Sequence, residues 1–305
     1  MVDEIIDRKF LRKFERSSSG VSKVKGPYTL YLLKKRNYTT SSAIEKISKR
    51  LKIDRKLIGY AGLKDKFAVT KQYVTIKKYF PETVLDEISI TPVSKTNRHI
   101  YIGDLVGNRF LIKLHGCKNT KNIEKLIDSA GENGLPNYFG PQRFGKHENN
   151  HIVGRMILKR NFKRSLKIIN EIYGKNFSSI NEVEKQKIKF FINAYQSFVF
   201  NKALCAYVRN NKSSFFKHVN IVGYDTRLPS NKIDKIEESL IKKDDIRQKD
   251  FSIKELGITC NGSMRNAFTK IHDVSYKISN NIVELSFTLP KGSYATILLK
   301  YLECS

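Results

Sequence analysis

Apolar residues come in short runs, or alternate with polar ones, through the first part of the chain; through the middle they recur every three to four positions. Residues 28–33 (YTLYLL) predict an apolar strand running into the basic triplet Lys34, Lys35 and Arg36. Residues 39–51 predict a helix: Ile44, Ile47 and Leu51 form one apolar stripe, and Ser42 with Glu45 three residues on reads as a capping box. Residues 72–79 alternate as a half-buried strand does, and residues 100–102 and 110–114 flank Gly107-Asn108 like two strands about a loose turn. Residues 122–130 predict a short helix, stopped by Gly131 and Gly134.

From about His151 the period becomes helical, over residues 152–173 and again over 182–208, with Gly174 and an Asn/Ser-rich stretch to Asn181 between them. Residues 210–257 are Lys-rich, show no clean period and predict no placed element. Strand character returns at 281–289 (NIVELSFTL), then Pro290-Lys291-Gly292 turns the chain into a short helix over 294–302. There is no internal repeat and no low-complexity linker. A β-rich beginning and end around a helical middle predicts an α+β protein, with one domain inserted into a discontinuous sheet domain.

Charge changes the picture: 57 Lys and Arg against 29 Asp and Glu leave a net +28. With 40% hydrophobic and 11% aromatic residues the chain has the means to fold, so this excess belongs on a folded surface and asks for a polyanion. Lysines spread over a solvated surface would give the same total. The interleaving of cations with rings in KKRNY, KQYVTIKKYF and RFGKHENNH favours RNA, where cations meet phosphates and rings meet unpaired bases. No run is long enough to span a membrane, and MVDEIIDRKF does not read as a signal peptide. Cys117, Cys205, Cys260 and Cys304 lie far apart without a CxxC, against a disulfide framework or a zinc ribbon. A cytoplasmic protein that handles nucleic acid is expected.

Two segments carry candidate chemistry. In Gly59-Tyr60-Ala61-Gly62-Leu63-Lys64-Asp65-Lys66 two glycines permit tight turning, and an acid stands between two lysines. A solvated surface turn is the plain reading. The functional one is a carboxylate on a loop that approaches a substrate closely, as nucleophile or base. In residues 135–145 (LPNYFGPQRFG) two prolines and two glycines stiffen a loop bearing three aromatics with Asn137, Gln142 and Arg143. Rings in a loop commonly plug a core; three beside polar side chains suit a platform that stacks a base and reads its polar edge. In NAYQSFVFN, Gln196 or Asn201 is placed to brace a neighbouring loop.

His147-Glu148-Asn149-Asn150-His151 matches HExxH in form, but two adjacent asparagines are poor helix formers and Gly145 and Gly154 bracket the segment. No metal is expected. No phosphate loop, dinucleotide fingerprint or paired carboxylates occur, which speaks against ATP, NAD and glycosidase chemistry.

Together AGLKDKFAVTKQ (61–72), GDLVGNRF (103–110), NYFGPQRFG (137–145), AYQSFVFN (194–201) and LPKGSYAT (289–296) resemble, in order, the TruD family of tRNA pseudouridine synthases in its archaeal and eukaryotic form. LLKKRNYTT (32–40) and VDEI (2–5) extend the resemblance weakly to the N-terminus, and 210–257 matches it least. It implies a pseudouridine-synthase fold, a mixed and mainly antiparallel sheet with flanking helices, over 1–152 and 265–305, with an inserted α/β TRUD domain over 153–264. It implies isomerisation of uridine to pseudouridine, at uridine-13 of tRNA, with tRNA as partner and no cofactor, because no electrons or groups are gained overall. Asp65 would be the catalytic aspartate and Phe139 the ring on the target uracil, with Asn137 at the same site; beside them Lys64, Gln142 and Arg143 are expected to bind substrate.

The family's active-site Lys precedes the strand that VDEI resembles, and this chain begins at Met1-Val2-Asp3-Glu4; either the true start lies upstream or another cation takes that role, for which Lys34 is the better candidate. A catalytically silent RNA-binding or chaperone protein on the same fold is the rival reading. An intact Asp65 motif argues against it, since binding alone does not need that acid.

Overall fold

The computed structural model describes residues 1–6, 26–210, 218–227 and 231–303. The chain forms two compact units, one of residues 1–124 with 271–292, the other of residues 125–270 with 293–305. Both units are discontinuous in sequence, with divisions near 124, 270 and 292.

The first unit is built on a nine-stranded sheet. Its order is His272–Ser279, Ile282–Pro290, Leu105–His115, Val2–Ile6, Val69–Ile76, Tyr28–Arg36, Ile88–Thr96 and Thr83–Leu85, with Ile58–Tyr60 also pairing Val69–Ile76. Val2–Ile6 runs parallel to Val69–Ile76, and the other pairings are antiparallel. In Tyr28–Arg36 period-two alternation sends Tyr31 and Leu33 to one face, where they pack with Ala43, Ile44 and Ile47 of the Thr40–Leu51 helix. Leu30 goes to the opposite face, with Ile6, Ala61 and Ile100.

That helix is capped three residues before the expected position. The Thr39 hydroxyl accepts from the Ser42 amide at 3.1 Å, so Thr39 is the cap and Ser42 lies in the first turn. Lys52, at φ +52°, ends the helix in the left-handed conformation.

Gly107-Asn108 does not turn the chain. It lies inside the continuous strand Leu105–His115, where a Cβ on Gly107 would stand 2.4 Å from the Leu289 carbonyl oxygen. The glycine serves close strand approach, which sequence alone does not separate from a turn. Residues 100–102 form no strand; Ile100 is buried and its amide donates to the Thr75 hydroxyl at 3.0 Å.

The second unit is mainly helical, with the helices Asn150–Leu158, Phe162–Tyr173, Lys185–Asn210, Lys232–Lys243 and Ala295–Glu303. The Thr120–Asn133 helix leads the chain into it. Three two-stranded ladders complete it: Leu135–Pro136 with Phe268–Thr269, His218–Ile221 with Ser263–Asn266, and Ser252–Ile253 with Ile258–Thr259. The helical period over 152–173 breaks at Arg160, at φ +59°, whose guanidinium donates to the carbonyls of Leu158, Asp250 and Ser252 at 2.7–2.9 Å. Asn161 then caps the next helix.

Gly154 lets Asn150–Leu158 close on Lys185–Asn210: a Cβ there would lie 2.1 Å from the Phe191 carbonyl oxygen. Gly154→Ala is expected to cost about 1–3 kcal/mol through overpacking, read as a lower urea midpoint at unchanged slope. An unchanged midpoint would contradict the close helix contact.

Among the described residues no helix is long and apolar enough to cross a membrane. Cys117, Cys205 and Cys260 are free thiols, and Cys304 lies outside the described residues.

Candidate active site

Asp65 sits in the loop between the Ile58–Tyr60 and Val69–Ile76 strands, with its side chain in an exposed residue. The backbone beneath it is pinned from several sides. The Ala61 carbonyl accepts from the Gly103 amide at 2.8 Å, and the Gly62 carbonyl from the Gln72 side chain at 3.1 Å. The Lys64 amide donates to the Thr40 hydroxyl at 2.8 Å, which in turn donates to Gln72 Oε1 at 2.8 Å. Helix start, neighbouring strand and loop thus share one buried polar chain.

The lysine at this loop is Lys35, not Lys34. Lys35 follows Tyr31 and Leu33 on the inward face and is fully buried, while Lys34 points to the other face and is exposed. Lys35 Nζ donates to the carbonyls of Tyr38 at 2.6 Å, Asp65 at 2.9 Å and Lys64 at 3.5 Å. Burial pushes its ammonium down to about 8, against the upward pull of Asp65. Period-two alternation was the signal that separates the two lysines.

Lys64 is turned inward as well. Its Nζ pairs with Glu4 Oε2 at 2.7 Å, both side chains being almost wholly buried. Burial raises the Glu4 carboxyl above its ordinary range, and the Lys64 charge opposes that. Lys64 therefore ties the loop to the Val2–Ile6 strand rather than reaching outward to a substrate. What the loop offers to solvent besides Asp65 is Leu63, Lys66 and Phe67, the Phe67 ring being 88% exposed with Lys66 Nζ 5.6 Å from its centroid. A ring beside a cation suits contact with a base and its phosphate.

The aromatic loop lies in the second unit. Phe139, expected as an open platform, is only 9% exposed: Phe200 meets it edge-on at 5.6 Å and Tyr294 at 6.4 Å. The Arg265 guanidinium stands 4.1 Å from its ring centroid and that of Arg143 at 5.4 Å. Phe200, Tyr294 and Arg265 come from distant parts of the chain, which is why the local sequence did not reveal them.

Asn201 braces the loop, accepting from the Phe139 amide at 2.8 Å and donating to its carbonyl at 3.0 Å. Asn137 is buried too, accepting from Arg265 at 2.7 Å through Oδ1 and donating to the Asn266 carbonyl at 3.0 Å. Gln142 is exposed; Arg143 Nε donates to the Ser197 hydroxyl at 3.0 Å. Arg265 is the central side chain here, and nothing in Ser263-Met264-Arg265-Asn266 signals it.

His147 and His151 do not share a helical face, since Glu148 has φ +50° and the helix starts at Asn150. His151 instead stacks on Phe198 at 4.3 Å. Among the described residues no three His, Cys, Asp or Glu side chains gather as metal ligands do.

A model of the family described as tRNA pseudouridine synthase D (TruD) matches residues 1–185 and 208–302. The chain is 31% identical to a Methanococcus vannielii protein named "Probable tRNA pseudouridine synthase D", over 90% of this chain and 85% of the relative. It is 28% identical to tRNA pseudouridine synthase D of Aquifex aeolicus, with 93% of each covered. In fold it resembles a crystal structure of a TruD protein from Methanosarcina mazei, with TM-score 0.75 at 21% identity over all of this chain and 91% of that one. The α+β architecture expected from the motifs is therefore the one found. Matched along most of its length, the chain belongs to the TruD family of tRNA pseudouridine synthases, which are isomerases.

Proposed function

We propose that this chain converts a uridine of tRNA, uridine-13, to pseudouridine, with Asp65 as the catalytic carboxylate. The observation that carries this reading is an exposed aspartate on a loop whose backbone is held by Lys35, Thr40, Gln72 and Gly103. The backbone that carries this carboxylate is held before substrate arrives, which removes part of the entropic cost of alignment. The reaction breaks the bond from N1 of uracil to C1′ of ribose, turns the base and joins C5 to C1′. A proton is lost from C5 and one is gained at N1, so atoms balance without a cofactor. Asp65 serves as nucleophile, at C1′ or at C6 of the base, or as the base that takes a ribose proton. The target must leave its stack, at a cost of a few kcal/mol that base contacts offset.

The choice of uridine-13 rests on the family resemblance of the motifs. Mapping pseudouridine in an unmodified tRNA transcript after incubation with the purified chain tests it. A new pseudouridine at position 13 is expected; modification only elsewhere would overturn the site assignment, and binding with no modification would favour a silent RNA-binding protein.

A further inference from the structure

We infer that Arg265 and Arg143 form a subsite for a phosphodiester group of RNA, in the cavity they line beside Phe139. The cavity measures about 350 Å³ and is bounded also by Asn193, Gln196, Asn261 and Ser263. Arg265 is fixed in it by neutral acceptors: Nε donates to the Asn137 carbonyl at 2.8 Å, and an Nη to Asn137 Oδ1 at 2.7 Å and the Tyr138 carbonyl at 3.3 Å. Arg143 is fixed by the Ser197 hydroxyl, itself bonded to the Asn193 carbonyl at 2.8 Å.

Among the described residues neither guanidinium has a carboxylate within ion-pair distance, although the buried Lys64 of the first unit has Glu4 at 2.7 Å. Both guanidinium groups are half-buried; withdrawing a cation partly from water without a counter-charge is costly, and two cations close to one ring also repel. Burial pushes Arg265 down to about 10, with Arg143 adding to the effect, so it stays cationic at neutral pH. A fold that holds two rigid, uncompensated guanidinium groups on a polar cavity is arranged for an anion from outside. With Nε and one Nη of Arg265 and Nε of Arg143 bonded to the protein, the other Nη groups remain to donate to phosphate oxygens. Phe139 then walls one side of this subsite, and Asn137 orients Arg265.

This inference rests on the reading that the chain binds RNA, and the test separates the two. Binding of a tRNA transcript is measured against KCl concentration for the wild type, Arg143→Gln and a control at the exposed Lys167, Lys167→Gln. The slope of log K against log salt should shrink by about 1 in Arg143→Gln, with affinity at least several-fold lower, while the control keeps the wild-type slope. A second measurement needs no variant. In the wild type, a neutral methylphosphonate linkage is walked along a tRNA-derived oligonucleotide, and one linkage should produce a matching loss.

If tRNA does not bind at all, the RNA reading fails. If it binds with equal slopes in wild type and Arg143→Gln, or if no single linkage matters, the phosphate subsite is overturned and RNA binding stands. Competition by millimolar inorganic phosphate without any linkage-specific loss would also overturn it, assigning the cavity to a free anion.

Discussion

Asp65→Asn should lower turnover by at least about 10³-fold, the order associated with losing a catalytic acid, base or nucleophile, while RNA affinity stays within several-fold. The Asp65 side chain lies on the exposed side of its loop, so the substitution removes charge and nucleophilicity while leaving the pinned backbone unchanged. RNA affinity comes instead from cations on phosphates, and the chain has a net +28 to supply them. Single-turnover rates and filter binding on the same tRNA separate the two quantities. Near-normal turnover in Asp65→Asn would reject the assignment of the acid.

Lys35→Met should cost about 10–100-fold in turnover with little loss of global stability. Two opposing effects decide this. Removing the ammonium leaves the carbonyls of Tyr38, Lys64 and Asp65 without their donor, which frees the loop, and a misplacement of about 1 Å at a reacting group can cost about 10²-fold. It also removes the desolvation penalty of a fully buried cation, which offsets the lost hydrogen bonds in the folding balance.

The pH dependence gives the same residue a second signature. The ammonium titrates near its ordinary 10.5 in the unfolded chain and near about 8 in the fold, so between these values the unfolded state binds more protons. The Lys35 contribution to stability therefore rises with pH across that window, while wild-type turnover should fall through about 8 as the anchoring cation loses its proton. Lys35→Met should lack that kinetic limb. A limb of equal size in both proteins would assign it to another group.

The sheet unit was largely legible because its strands follow simple patterns: the run at 28–33 and the alternation after it place Tyr31, Leu33 and Lys35 on one face. The Asp65 loop was legible as a motif. Which lysine serves it was not taken from the motif, because Lys34 and Lys35 are chemically alike and only strand alternation parts them. Gly107 was misread because a glycine followed by asparagine serves a tight turn or a crowded strand equally well by local sequence. Residues 218–256 resisted reading because short elements there are held by distant side chains, such as Asn220 Nδ2 donating to Asp234 at 2.8 Å and Gln196 donating to the Val222 and Asn261 carbonyls. The closure of Phe139 by Phe200, Tyr294 and Arg265 is likewise a long-range event. Aromatic residues beside polar ones in a loop do not reveal whether the rings end open or covered.

Asp65-dependent isomerisation has a chemical readout that the reaction itself supplies. Joining C5 of uracil to C1′ expels the hydrogen carried on C5, so tRNA made with uridine tritiated at C5 must release tritium to water. The account predicts release approaching one equivalent per tRNA from the modified position with the wild-type chain, and none above background with Asp65→Asn at equal RNA occupancy. Saturated RNA binding by the wild type without tritium release, or equal release by Asp65→Asn, would contradict it.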